Sequence, residues 1–281
     1  VGTLYLVSTP IGNLEDLTER ARRVLGEVDA VLAEDTRRTR RLLDHIGVST
    51  RVISLHGHNE RQRLPRVLER LREGASLALV SDAGTPLVSD PGARLVDEAL
   101  ADGHTVVPLP GPSAVLSALV VSGFPTVPFT FFGFLPRKGR ERGELLDRII
   151  ASRDTVVLFE SPERVGDLLG ELAGRADPER RAVVAREITK LHEEFRRGTL
   201  PELARYYRNG EPPRGEVTVV LAPGDTTPDL GAEEAAARAL ARSLLDGGAS
   251  PSRVAREVAS RLGMPRNRAY DLVQGLDSPG S

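Results

Sequence analysis

The sequence predicts an α/β fold: two α/β domains with a cofactor cleft between them, followed by a small C-terminal helical segment. Three observations carry this. In the first ~120 residues, short apolar runs alternate five times with helical patterns, as in a mostly parallel sheet covered on both faces. After a linker-like stretch, Gly123–Pro128, strand-like and helical segments resume as far as residue 222. Past Pro223–Leu230, a polar stretch, the composition turns Ala- and Arg-rich and the pattern is wholly helical. The expected domains are therefore 1–123, 124–222 and 223–281, the last comprising a linker and helices.

Taken in order, Thr3–Ser8 reads as a strand followed by Thr9-Pro10-Ile11-Gly12-Asn13, then a helix over about Thr18–Val28. Ala30–Ala33 is a second strand, ending in Glu34-Asp35-Thr36-Arg37, which opens a basic helix stopped by Gly47. Val52–Leu55 is the third, ending in His56-Gly57-His58-Asn59-Glu60 before a helix that Gly74 closes. The central stretch is Leu77–Gly92. Its apolar run stops at Ser81-Asp82, a loop of small and turn-forming residues follows, and a helical pattern begins at Pro91. Gly84 leaves room for a ligand to approach the backbone, while Asp90 reads as an N-cap of the following helix. Thr105–Leu109 then runs into Pro110-Gly111-Pro112-Ser113-Ala114, the start of an apolar helix reaching Val121. Four of these five strands end in loops rich in Gly, Pro or small polar residues, and such loops share one edge of a parallel sheet, where ligands bind.

In the second domain, Phe129–Phe134 and Thr155–Phe159 read as strands around an amphipathic helix over Arg137–Ser152. The second strand ends in Glu160-Ser161-Pro162-Glu163-Arg164. Ala182–Ala185 runs into Arg186-Glu187-Ile188-Thr189-Lys190, His192–Arg197 is an extended return, Leu200–Tyr207 is helical and Glu216–Leu221 is a last strand. A larger share of antiparallel pairing is expected here. In the tail, Pro251–Leu262 and Arg266–Gly275 flank Gly-Met-Pro in the manner of a helix-turn-helix, a pattern also common in small helical bundles.

Composition excludes several classes of chemistry. At 281 residues the chain has ample core without staples, and with no Cys it has no disulfide, thiolate metal site or Cys nucleophile. No apolar run approaches the ~20 residues of a membrane span and no signal peptide precedes the first strand, so a cytoplasmic protein with no membrane partner is expected. A net charge of −2 argues against a globally basic nucleic-acid binder but not against a local patch. Basic residues cluster at Arg37, Arg38, Arg40 and Arg41, at Arg137 to Arg142, and at Arg196 and Arg197. Nearly all are Arg, which recognises phosphate bidentately and stacks on bases. There is no P-loop, no G-x-G-x-x-G after the first strand and no G-x-S-x-G elbow. His56 and His58 are near neighbours, but no third ligand accompanies them, so no metal is expected.

Seven loop motifs, in order, carry a resemblance: Ser8-Thr9-Pro10-Ile11-Gly12-Asn13, Glu34-Asp35-Thr36-Arg37, His56-Gly57-His58-Asn59-Glu60, Ser81-Asp82-Ala83-Gly84-Thr85-Pro86, Pro110-Gly111-Pro112-Ser113-Ala114, Glu160-Ser161-Pro162 and Arg186-Glu187-Ile188-Thr189-Lys190. Over about residues 2–222 the chain resembles the bacterial 16S ribosomal RNA (cytidine 2′-O)-methyltransferases of the tetrapyrrole methylase superfamily, the class III S-adenosylmethionine (SAM) methyltransferases. The loop at Ser81 departs from the Gly-Gly-Asp-Pro form of the corrin-modifying relatives, which favours the RNA branch.

The resemblance implies a homodimer that binds SAM, folded, in the cleft between two α/β domains. Pro10, Asp82, Ala83, Gly84, Thr85, Ser113 and Ala114 would contact it, and Phe159 and Pro213 to Glu216 would close over it. The substrate would be a decoding-centre cytidine of 16S rRNA in the small ribosomal subunit, approached by Arg37, Arg40, Arg41, His56, His58, Asn59, Arg186 and Lys190. Methyl transfer to a ribose 2′-oxygen needs positioning, water exclusion and a proton acceptor. With no Cys and two Lys, the acceptors to weigh are Asp35, Glu160 and the His pair. Asp35 sits at a strand's carboxyl end with Arg37 nearby, although it equally suits a helix N-cap. Glu160 holds the corresponding place in the second domain, expected to face the same cleft. Two other readings compete: a SAM methyltransferase of a tetrapyrrole or other small molecule, and a non-catalytic regulator using the tail to bind DNA.

Overall fold

The computed structural model describes the chain apart from residues 211–212, 225–229, 263 and 278–281 and the side chains of 230–236 and 277. Most of the expected polar stretch Pro223–Leu230 therefore lies outside the described residues. The chain forms two compact units, Val1–Gly224 and Asp225–Ser281.

The first sheet contains β1 (Thr3–Val7), β2 (Ala30–Ala33), β3 (Val52–Ser54), β4 (Ser76–Val80) and β5 (Thr105–Leu109), in the order β3-β2-β4-β1-β5, all parallel. Parallel strands are covered on both faces and so read as unbroken apolar runs, and β2 is buried along its whole length. On one face α1 (Glu19–Glu27) and α2 (Thr36–His45) bury Val24, Leu25 and Leu43 against Val7, Val31 and Val80. On the other, α3 (Glu60–Arg72) and α4 (Ala93–Ala101) bury Leu68, Leu71 and Leu95 against Leu4, Leu32, Leu77 and Leu79. From the adjacent strands β1 and β4 the chain leaves towards opposite edges of the sheet, which opens a crevice between their carboxyl ends.

α4 starts later than the sequence suggests. Its N-cap is Gly92, at φ 116°, with no side-chain cap, so Asp90 is not the cap of this helix. A Cβ at Gly92 would press on Leu79 and Leu87, so the chain turns into the helix through a position that a side chain cannot occupy. Asp90 is thereby left free of the capping role.

α5 (Ala114–Val121) is apolar nearly all round and joins the two sheets. The second sheet contains β6 (Phe129–Phe134), β7 (Thr155–Glu160), β8 (Arg181–Arg186), β9 (Glu194–Thr199) and β10 (Val217–Leu221), in the order β6-β7-β10-β8-β9. Only β6 and β7 are parallel, and the other pairs are antiparallel. One face carries α6 (Arg140–Ala151), α7 (Val165–Ala173) and α8 (Leu200–Asn209), packed on Val156, Leu158, Val184 and Val219. The other turns Val157, Val183, Ala185 and Val220 towards Ile11, Val115, Ala118 and Leu119 of the first half. This apolar seam is the junction of the two sheets.

α7 is the helix that the sequence reading passes over, because Gly166 and Gly170 interrupt its pattern. The glycines have a packing reason. A Cβ at Gly166 would sit 3.0 Å from the Tyr207 carbonyl oxygen, and one at Gly170 would fall on the Arg208 guanidinium, so α7 and α8 touch through these positions. The N-terminus of α8 is secured by a capping box, Thr199 accepting from the Glu202 N–H and Glu202 from the Thr199 N–H.

The C-terminal unit is α9 (Leu230–Asp246), α10 (Pro251–Leu262) and α11 (Arg266–Asp277). It has its own core of small side chains, including Ala237, Ala241, Val254, Val258, Ala269 and Val273.

Candidate cofactor cleft and substrate surface

The loops at the carboxyl ends of β1, β4 and β5 are bound to one another. Thr9 and Gly84 exchange backbone hydrogen bonds of 2.9 and 3.0 Å. The Ser81 hydroxyl donates to Gly84 O at 2.9 Å and the Thr9 hydroxyl to Ser81 O at 3.1 Å. The Ser8 hydroxyl donates to Thr85 Oγ1, whose own hydroxyl donates to Pro112 O, both at 3.3 Å. Gly84 has φ 83°, and a Cβ there would sit 3.3 Å from Ile11 Cγ2. The glycine is thus required by the backbone itself. Ser113 caps α5 by accepting from Leu116 N–H.

Pro10, Asp82, Ala83, Gly84, Thr85, Ser113 and Ala114 therefore come together as one rim, and all but Gly84 are half-buried. Ala83, Ala114 and Phe159 also share the seam between the sheets. Pro213 is half-buried in the segment before β10.

A loop of the second half closes on the β1 loop. Glu187 and Thr189, both non-glycine, hold left-handed φ values of 51° and 68°. The Asn13 N–H donates to Thr189 Oγ1 at 3.1 Å, and Gly12 lies so close under Lys190 and Ile188 O that it has no room for a Cβ. Lys190 Nζ bridges Glu187 Oε1 at 2.8 Å and Glu216 Oε2 at 3.0 Å. Burial opposes the charge of Glu187, but the Lys190 ammonium and the Glu216 N–H outweigh it and hold the carboxyl below its usual range. Arg186 pairs with Glu194 at 3.2 Å and donates to Arg214 O. Of the residues expected to meet RNA, Arg186 and Lys190 are thus already engaged within the second half.

An open cleft of about 690 Å³ at the ends of β2 and β3 is lined by Glu34, Asp35, Arg37, His56, His58 and Glu60 among others. A smaller one of about 220 Å³ lies among Thr9, Pro10, Arg38, Arg41 and Asp82. The His56 and His58 rings meet edge-on at 6.0 Å, and Asn59 accepts from His56 N–H at 2.9 Å, shaping this loop. Arg37, Arg38, Arg40 and Arg41 are all exposed. Arg37 reaches back to Asp35 and Arg38 to Asp82, whereas Arg40 and Arg41 make no ion pair among the described residues. Among those residues no group of three or more His, Asp or Glu has metal-holding geometry.

The carboxylates divide by environment. Asp35 caps α2, accepting from the N–H groups of Arg37 and Arg38, and the Arg37 guanidinium adds to this. The Arg37 N–H above all, then its side chain, holds the Asp35 carboxyl below its usual range, which makes it a weak base. Glu160 is enclosed. Its row across the sheet runs through Val217 to Arg186, and Val217 belongs to the core under the helices. Its side chain is 0% exposed, accepts from Ser161 N–H and pairs with Arg164. Glu160 thus points to the helix side, not to the cleft that the sequence reading expected, because alternation along β7 turns Phe159 to the seam and Glu160 away from it.

Asp90, which the sequence offers both as a helix N-cap and as one of two loop-end carboxylates, is half-buried near Glu34 and Asp82 at the ends of β2 and β4. Burial pushes its carboxyl up to about 6, the negative charges of Glu34 and Asp82 add to this, and a hydrogen bond with Ser81 works against it. The sequence signal was the near-repeat Ser-Asp-x-Gly at Ser81 and Ser89, which sets a short carboxylate at each end of the loop.

Comparison with known proteins fits this architecture. The tetrapyrrole (corrin/porphyrin) methylases match residues 3–204. A protein of Mesorhizobium japonicum named ribosomal RNA small subunit methyltransferase I is 44% identical over 99% of this chain and 93% of its own length. A Thermotoga maritima protein of the same name is 46% identical over 79% of this chain and 98% of its own. Among solved structures, a cobalt precorrin-4 methyltransferase has a TM-score of 0.61 at 19% identity, covering 78% of this chain and 94% of its own. A Thermus thermophilus uroporphyrin-III C-methyltransferase complexed with S-adenyl homocysteine has 0.57 at 21%, covering 78% and 97%.

Proposed function

This chain belongs to the tetrapyrrole methylase family, and we propose that it methylates 16S ribosomal RNA of the small subunit, using S-adenosylmethionine. One observation carries the reading: relatives more than 40% identical along almost the whole chain bear the name of an rRNA small subunit methyltransferase. The finer assignment, to the ribose 2′-oxygen of a decoding-centre cytidine, is supported by the order of the seven loop motifs.

The rim residues suit the cofactor. Half-buried Ala83, Ala114 and Phe159 offer apolar walls, and the carboxylates of Asp82, Glu34 and Asp90 favour a cation at the ends of β2 and β4. When bound, S-adenosylmethionine supplies a methyl group on a positively charged sulfur. The chain's own residues supply the rest. Thr9, Ser81, Thr85 and Pro112 lock the three loops in register, so that the rim is preorganised. Arg40 and Arg41 are free to meet backbone phosphates. The proton of the 2′-hydroxyl passes to the Asp90 carboxylate, half-buried beside Glu34 and Asp82, where burial raises its affinity for protons. Asp35 serves as the cap of α2, and Glu160 fixes the β7–α7 turn.

A homodimer fits the outer face of α5, where Leu116 is 51% and Val120 67% exposed. Light scattering on the purified chain reads this directly, and a monomer would refute it. A cytoplasmic location follows from a ribosomal substrate; no described helix is long and apolar enough to cross a membrane.

The decisive experiment incubates the protein with S-adenosylmethionine and small subunits lacking the modification, then maps the methylated nucleotide. A 2′-O-methylcytidine in 16S rRNA is expected. Absence of methyl transfer to rRNA, with transfer to a corrin instead, overturns the proposal.

A further inference from the structure

The helices of the C-terminal unit hold none of the seven loop motifs. They lie beyond the family match, which stops at residue 204. The unit is nevertheless built with care. α10 and α11 are each twelve residues long and meet through Met264 and Pro265, with Met264, Val254, Val258, Ala269 and Val273 in the core.

Burying Ala269 and Val273 fixes which face of α11 is turned outward. Arg266, Tyr270 and Gln274 are spaced by four, so they form one stripe, and all three are exposed. Asn267 flanks the stripe at its start. Gln274 Nε2 donates to the Tyr270 hydroxyl at 3.2 Å, beside an aromatic ring that is 45% exposed. Arg266 and Arg268 make no ion pair among the described residues, and neither do Arg253 and Arg256 on α10, while Arg261 is tied to Glu257. In a chain of net charge −2, α10 and α11 carry Arg253, Arg256, Arg261, Arg266 and Arg268 against Glu257, Asp271 and Asp277.

We propose that the Arg266–Tyr270–Gln274 face of α11 is a docking surface for RNA of the small ribosomal subunit. This rests on the function proposed above. A guanidinium, an exposed phenol ring and two side-chain amides match an RNA strand with exposed bases: Arg266 meets a phosphate, Tyr270 stacks on a base, and Asn267 and Gln274 bond to base edges. Charge complementarity selects the occupant, since an acidic backbone neutralises cations that have no partner within the described residues.

The test uses the full chain with Arg266→Ala, Tyr270→Ala and Tyr270→Phe, all at exposed positions remote from the core. Binding to protein-free 16S rRNA and to small subunits is measured across salt concentrations, with KM and kcat for methyl transfer and calorimetry for S-adenosylmethionine. Arg266→Ala is expected to weaken RNA binding about tenfold and to reduce the salt slope by about one. Tyr270→Ala loses about tenfold with the slope unchanged, and Tyr270→Phe restores it. kcat and cofactor affinity stay as in the wild type. Unchanged RNA affinity and slope in Arg266→Ala and Tyr270→Ala, or duplex DNA bound as tightly as the rRNA, overturns the proposal. RNA binding through this face without methyl transfer would refute the proposed function and leave the docking surface standing. Normal transfer with unchanged KM in the variants would do the reverse.

Discussion

Phe159 and Glu160 are neighbours on β7 that open onto opposite faces of the second sheet. Phe159 meets Phe131 edge-on, ring centroids 4.9 Å apart, in the seam between the two sheets. Glu160 is enclosed against Arg164 on the side of the helices.

Glu160→Gln should therefore act on stability more than on chemistry. It leaves the Arg164 guanidinium, 27% exposed, opposite a neutral amide. The cost should be about 2 kcal/mol, below the ~3–5 of a fully buried broken pair. Denaturant unfolding reads the loss, and kcat per folded molecule should stay within a few-fold of wild type. Unchanged stability with a roughly 100-fold fall in kcat would identify Glu160 as the base instead.

Asp90→Asn separates catalysis from stability in the opposite sense. The folded carboxyl binds its proton up to about 6, against an ordinary value of 3.8, so folding favours the protonated form. Below the ordinary value the group is neutral in both states and carries no penalty. Stability then falls as pH rises between these two values, and above them the penalty is fully present. Asp90→Asn should accordingly be more stable than wild type at pH 7, with the gap closing in acid, while kcat drops about 100-fold. In the wild type, kcat should rise through pH about 6 as Asp90 ionises. A variant with normal turnover would remove Asp90 from the reaction.

Asp35→Asn should be nearly silent. Asn caps a helix as well as Asp does, so α2 keeps its N-cap, and a carboxylate held below its usual range is little use as a base. Asp35→Ala should cost about 1 kcal/mol through the lost cap. A rate collapse in Asp35→Asn, with cofactor and RNA still bound, would restore Asp35 as the proton acceptor.

Gly12→Ala tests the closure of the two halves. Its Cβ would lie 2.8 Å from Thr189 Oγ1 and 3.0 Å from Ile188 O, in addition to meeting Lys190, so the β1 loop must shift. Overpacking of this kind costs about 1–3 kcal/mol, and S-adenosylmethionine affinity should fall about tenfold. Calorimetry showing unchanged affinity would place the cofactor away from this loop.

Tyr207→Phe should stabilise the protein. The Tyr207 hydroxyl is buried with no hydrogen-bond partner among the described residues. Burial, reinforced by Glu194, pushes its ionisation up to about 12. Removing an unsatisfied hydroxyl should recover about 1 kcal/mol, read by thermal unfolding. A loss of stability would show that the hydroxyl has a partner in solution.

Much of the fold was legible because its signals are local. The apolar runs Thr3–Val7, Ala30–Ala33 and Ser76–Val80 declare themselves as strands without any knowledge of their partners. So do the stops at Gly47 and Gly74, both at left-handed φ. α7 was not legible, because Gly166 and Gly170 look like helix breakers until α8 is seen pressed against them.

By itself the sequence determined the parallel first sheet, the mixed second one, the helical tail and the loops that assemble into the rim, since strand periodicity and turn chemistry depend on neighbours in the chain. Which face of β7 looks into the seam, and so which of Phe159 and Glu160 reaches it, depends on where α5 packs, a contact over long sequence distance. The raised proton affinity of Asp90 was decided in the same way: burial sets it first, and the charges of Glu34 and Asp82, at the ends of β2 and β4, add to it once the sheet is assembled.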